Sequence, residues 1–179
     1  MKTTRRRSLT RSNNKGIPPM IAPVPVLYEN ADKQCIIWDV LADDALADAL
    51  GKGWEKVPAK EASENTRYHI EYSILGGRDN QVFDVRVTNA SGGEHDIKWV
   101  YIRTKMGGQI KYIPKNRDAH VIFPMAEEDA YMFCPNDPCL QCAFACKVGF
   151  EMFAYSISEG LLREAVDIIY TQPVKKMKG

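Results

Sequence analysis

DPCLQCAFACKVGFEMFAYSISEGLLREAVDII, residues 137 to 169, is the stretch on which the fold class turns. Asp137 followed by Pro138 is a helix-start signal: an N-cap residue, then proline at the first helical position, where its missing N–H is no loss. Apolar residues then recur at three- and four-residue spacing through Cys139, Cys142, Cys146, Gly149, Phe153 and Ile157. A second stripe runs through Leu140, Phe144, Val148, Met152 and Tyr155. Such spacing places each set on one helical face. Ser156 with Glu159 has the spacing of a capping box, which starts a second helix running through Ile169. Gly160 weakens a single continuous helix, and Pro173 ends the segment. This reading predicts a C-terminal helical segment.

Upstream the period changes to two. His69 to Leu75 places Ile70, Tyr72 and Ile74 on one face, and Phe83, Val85 and Val87 alternate with Asp84, Arg86 and Thr88. Ile97, Trp99 and Tyr101 form one face of a third strand and Val100 and Ile102 the other, so this strand is expected to be central. Gln109–Ile113 and His120–Phe123 complete the series, and Gly-rich turns at 76–80, 89–93 and 106–108 separate the strands. Five strands with short turns predict an antiparallel meander, sandwich-like or barrel-like. Before them lie a short strand, Gln34–Trp38, and a short helix, Asp43–Leu50, capped by Asp43 or Asp44 and closed by Gly51. The expected class is α+β: an antiparallel β-meander with a C-terminal helical segment and an extended N-terminal arm. The expected divisions are an arm over residues 1–26, one domain over 27–173 and a basic tail over 174–179.

The arm carries Pro18, Pro19, Pro23 and Pro25, which exclude a helix and favour extended, polyproline-like backbone. Six of the chain's 24 basic residues and none of its 23 acids lie within residues 1–19. The remaining 18 basic residues face all 23 acids, so the body is at −5 and the arm at +6. Such asymmetry points the arm, through Arg5, Arg6, Arg7, Arg11 and Lys15, towards nucleic acid or the acidic face of a neighbour. No apolar run approaches the roughly 20 residues of a membrane helix. The arm lacks the apolar core of a secretory signal.

Four of five cysteines, Cys134, Cys139, Cys142 and Cys146, fall within thirteen residues. Three readings are open. On a helix, Cys139, Cys142 and Cys146 share one face and serve as small apolar packing residues. With Cys134 bending back, the four supply a thiolate site for zinc or an iron–sulfur cluster, although C-x4-C-x2-C-x3-C matches neither common cluster signature. A disulfide between Cys134 and Cys139, or to Cys35, is the third. Packing leads, so the first expectation is no cofactor, and zinc or an iron–sulfur cluster the second.

The rest of the chain offers little chemistry. There is no G-x-S-x-G, P-loop or H-E-x-x-H pattern, and the expectation is a protein that is not an enzyme. His95 reads as a turn residue, and His69 and His120 as strand residues that could be neighbours across the sheet. Trp99, Tyr101 and Tyr112 with Lys98, Arg103 and Lys111 have the composition of a base-stacking strand face. An ordinary core strand explains them better.

Residues 46–62, LADALGKGWEKVPAKEA, contain A-L-G-K-G-W-x-x-x-P-A-x-E-A, which resembles a short segment of structural proteins of tailed-phage virions. The resemblance covers under a tenth of the chain and carries no catalytic residue. It implies a short helix ended by glycine, with a tryptophan and a proline docking the chain, and a virion component assembled in the host cytoplasm. The leading expectation is therefore a structural subunit of a head, neck or tail, contacting other protein subunits through its arm, with nucleic acid as a second partner and no membrane. Two alternatives remain: a small iron–sulfur or zinc protein built on the four cysteines, and an RNA-associated, ribosome-like subunit.

Overall fold

The computed structural model describes residues 24, 26–32, 36–39, 45–76, 80–104, 107–126 and 150–166. In chain order the elements are β1 (Val26–Asn30), β2 (Ile36–Asp39), α1 (Ala45–Leu50), β3 (Trp54–Lys56), β4 (Ala59–Glu61), a 3-10 turn (Ala62–Glu64), β5 (Tyr68–Gly76), β6 (Asn80–Asn89), β7 (Ile97–Arg103), β8 (Gly108–Tyr112), β9 (His120–Ala126), β10 (Phe150–Ser156) and β11 (Gly160–Val166). They form three sheets, ordered β2-β1-β3, β4-β11-β10-β7-β8 and β5-β6-β9. Every pairing is antiparallel except β11 with β4, which is parallel.

The five-stranded sheet lies between the other two, and each of its faces carries its own core. Phe83, Val85 and Phe123 of the β5-β6-β9 sheet meet Val100, Ile102, Met152 and Leu162 of the middle sheet. On the opposite face Leu27 and Trp38 meet Trp99, Tyr101, Phe153 and Tyr155. There Trp99 stacks between Trp38, at 6.3 Å, and Tyr155, at 5.6 Å.

The α+β class and the C-terminal helical segment are overturned. Residues 150–166 form the β10–β11 hairpin, and the helical content of the described residues is α1 and one 3-10 turn. The physical reason is double-sided burial. All seven residues of β10 are buried, because its two faces look into the two cores. A strand with two apolar faces writes a continuous apolar run, and such a run satisfies three- and four-residue spacings as readily as a helix does. The Ser156–Glu159 pair makes the expected kind of hydrogen bond, Glu159 N–H to Ser156 Oγ at 3.1 Å. It closes a hairpin turn instead of opening a helix. Gly160, at φ 82°, leaves that turn through the left-handed region that favours glycine. The helix start at Asp137 and Pro138 lies outside the described residues.

The strands read between residues 68 and 123 are present, and β7 is central as expected, but they do not form a meander. After the β5–β6 hairpin the chain leaves for the middle sheet as β7 and β8, then returns as β9 to pair with β6. Ile97 also departs from its expected face. The register passes from Tyr155↔Trp99 to Ser156↔Ile97, so Lys98 is bulged out and Ile97 turns into the opposite core from Trp99 and Tyr101.

Candidate functional site

The middle sheet and the β2-β1-β3 sheet separate where β3 runs out through Val57 and Pro58 and the chain crosses to become β4. Val57 N–H donates to Leu27 O at 2.8 Å, which pins this crossing to β1. Between the sheets lies a groove of about 460 Å³. Its lining includes Val24, Val26, Val57, Pro58, Phe153 and Leu161, with Lys56 the one charged member. Phe153 and Leu161 belong to the second core, so the groove extends that core to the surface. Val24, 41% exposed, is the root of the N-terminal arm. The groove is mainly apolar, and Val24 in its wall follows the proline-rich segment in sequence.

A second, more polar cleft of about 230 Å³ lies at one end of the β5-β6-β9 sheet, between β6, the 92–95 loop and residues 118–120. Arg86, His95, Asp118 and His120 line it. His95 Nε2 donates to the carbonyl of Arg117 at 2.5 Å, and Nδ1 is buried with no hydrogen-bond partner among the described residues. His120 Nε2 lies 2.7 Å from Asp84 Oδ1. Among the described residues no three His, Cys, Asp or Glu side chains gather closely enough to hold a metal ion.

Asp96 accepts hydrogen bonds from three residues. Its Oδ1 accepts from Tyr68 Oη at 2.8 Å and Ser156 Oγ at 2.5 Å, and its Oδ2 accepts from Ser158 N–H at 2.9 Å. Burial pushes the carboxyl up, but the hydrogen bonds from Ser156, Ser158 and Tyr68 outweigh it and hold the pKa at about 2. The group therefore ties β5, β7 and the β10–β11 turn together as a carboxylate at neutral pH. Tyr155 is pushed up to about 12, first by burial and then by the charge of Glu29, whose carboxylate accepts its hydroxyl at 3.3 Å. Glu151, buried near the start of β10, is met by Arg103 at 2.5 Å and by Arg163, which also reaches Glu61 at 2.6 Å. These are structural ion pairs that let a charged residue occupy a doubly buried strand.

Cys134, Cys139, Cys142 and Cys146 lie outside the described residues, as do Arg5, Arg6, Arg7, Arg11 and Lys15. His69 and His120 are not neighbours, because β6 runs between β5 and β9. The base-stacking face is absent too: Trp99 and Tyr101 are buried, Arg103 is paired with Glu151, and of the three aromatic rings Tyr112 alone is exposed. Sequence reasoning missed the groove. Its walls come from residues 24, 26, 56–59, 153 and 161, and the one local signal was the Val57-Pro58 break after Trp54.

No family model matches the chain, and no curated protein does. Among solved structures, the superoxide reductase from Treponema pallidum is similar at 14% identity over 79% of this chain and 97% of that chain, with a TM-score of 0.46. A hypothetical protein from Pyrococcus horikoshii is similar at 12% identity over 61% of this chain and 94% of that chain, with a TM-score of 0.37. Likeness at this level brings no activity or cofactor to this chain.

Proposed function

We propose that this chain is a non-catalytic subunit of a larger protein assembly, joined to its neighbours when the apolar part of one subunit's arm, Ile17–Pro23, docks in the groove of the next. The observation that carries the reading is the groove itself, an apolar trough opening at the root of an apolar, proline-rich arm. Proline suits such a seat, since it brings no backbone N–H to leave unpaired against apolar walls. The charge division, +6 on the arm and −5 on the body, favours arm-to-body contact and disfavours body-to-body contact. The resemblance of residues 46–62 to tailed-phage virion proteins supports a phage particle as the assembly.

The test is sedimentation of the full chain, of a chain lacking residues 1–23, and of Ala59→Glu, which sets a carboxylate in the exposed wall of the groove. Both variants keep the strand-rich circular dichroism spectrum and lose association relative to the parent. A truncated chain that unfolds while the full-length monomer is stable makes the arm part of the domain and defeats the reading. Association unchanged in both variants defeats it as well.

A further inference from the structure

We propose that the polar cleft at the end of the β5-β6-β9 sheet binds a small oxyanion that still carries a proton, hydrogen phosphate being the fitting case. The cleft shares no lining residue with the apolar groove, so it is separate from the arm's seat. Its volume is about 230 Å³. A water's share of liquid volume is about 30 Å³, so the space takes an ion of several atoms.

His95 sets the first requirement. Its Nε2 meets the carbonyl of Arg117 at 2.5 Å. A carbonyl only accepts, so Nε2 holds the proton, and in the neutral ring Nδ1 is left with a lone pair. That atom is buried and has no hydrogen-bond partner among the described residues. Buried acceptors in folded proteins are nearly always met by a donor, so the ring calls for an O–H or N–H from a ligand. His120 repeats the pattern: its Nε2 lies 2.7 Å from Asp84 Oδ1, which again fixes the proton on Nε2. Asp118, exposed in the lining, adds a carboxylate, which also only accepts.

Arg86 sets the second requirement. Asp84 Oδ1 lies 3.9 Å from its Nε, beyond hydrogen-bond range. A guanidinium only donates, in a planar fork that matches an oxyanion. Thr88, two residues further along β6, contributes a hydroxyl that can donate or accept. The lining therefore asks for a negative oxygen and for a proton at once. Sulfate answers Arg86 but sets charged oxygens against two lone pairs and a carboxylate. Hydrogen phosphate answers both, because it keeps an O–H beside its charged oxygens at neutral pH. A phosphate monoester has mostly lost that proton at neutral pH, its second pKa being about 6, so the free ion is the better fit. A metal ion fits poorly, since Arg86 is cationic and no three His, Cys, Asp or Glu side chains gather among the described residues.

Isothermal titration of full-length protein near neutral pH, with inorganic phosphate and separately with sulfate, tests this. Phosphate should bind with a dissociation constant of about 1 mM or tighter, and sulfate at least about tenfold more weakly, because a site built to hydrogen-bond an O–H rejects the analogue lacking it. Arg86→Gln should weaken phosphate about tenfold. Asp118→Asn removes a like charge and should narrow the preference by strengthening sulfate, whereas His95→Ala should narrow it by weakening phosphate. Circular dichroism checks each fold. Arg86 and Asp118 are exposed, so their variants carry the test even if His95→Ala, which also releases the Arg117 carbonyl, fails to fold. Phosphate that does not bind, sulfate bound as tightly as phosphate, or a preference unmoved by Asp118→Asn each overturns the proposal. Phosphate binding unchanged by Arg86→Gln overturns it too, and assigns the ion to another surface such as the basic arm.

Discussion

Asp96 shows how one side chain can hold three strands in place. It sits one residue before β7, yet its two oxygens collect groups from Tyr68 and from the β10–β11 turn. Its folded pKa, about 2, lies below the ordinary 3.8. A depressed carboxylate contributes stability that is fully present above the unfolded value and disappears as pH falls through the folded value. Chemical denaturation between pH 7 and pH 2 should show this loss below about pH 4. Asp96→Asn should lower stability at pH 7 by about 1–3 kcal/mol, since buried donors lose a charged acceptor, and should flatten that limb of the pH profile. Equal acid limbs in parent and variant would mean that other carboxylates govern it.

The β10–β11 hairpin is the element whose character decides the fold class, and one glycine tests it. Were residues 156–169 helical, Gly160→Ala would stabilise the protein, by up to about 1 kcal/mol. In the hairpin Gly160 has φ 82°, with nothing within 4 Å of an added Cβ, so crowding plays no part. The substitution then forces alanine into the left-handed region and should cost about 1 kcal/mol. The sign of the change in thermal midpoint separates the two structures. The hairpin also shows what a doubly buried strand requires. Glu151 interrupts an apolar run and survives there because Arg103 and Arg163 both reach it.

Over the whole molecule, one sheet with a core on each face makes the layers interdependent. Phe83 packs on Phe150 at 6.0 Å on one side of the middle sheet, while Tyr101 packs on Phe153 at 6.0 Å on the other. Losing the middle sheet removes both cores together, so unfolding should be a single cooperative transition. Tryptophan fluorescence, dominated by Trp38 and Trp99 in the second core, should coincide with far-UV circular dichroism, which reports all three sheets. A fluorescence transition at lower denaturant would show that the β2-β1-β3 layer detaches alone. Within this architecture, the elements with one wet face were legible in the amino-acid pattern. Ile70, Tyr72 and Ile74 alternate with His69, Glu71 and Ser73, and Phe83, Val85 and Val87 with Asp84, Arg86 and Thr88, because a strand between core and solvent must write a period of two. It determined the end of α1 as well, where Gly51 takes φ 72° as the helix-closing residue. That residues 150–156 are a strand emerged only from the packed fold, because a segment buried on both faces carries no polar stripe from which to read its period. The departure of β7 and β8 to another sheet and the groove beside Val24 were equally out of reach. Each depends on residues far apart in sequence, brought together by pairings that leave no local mark.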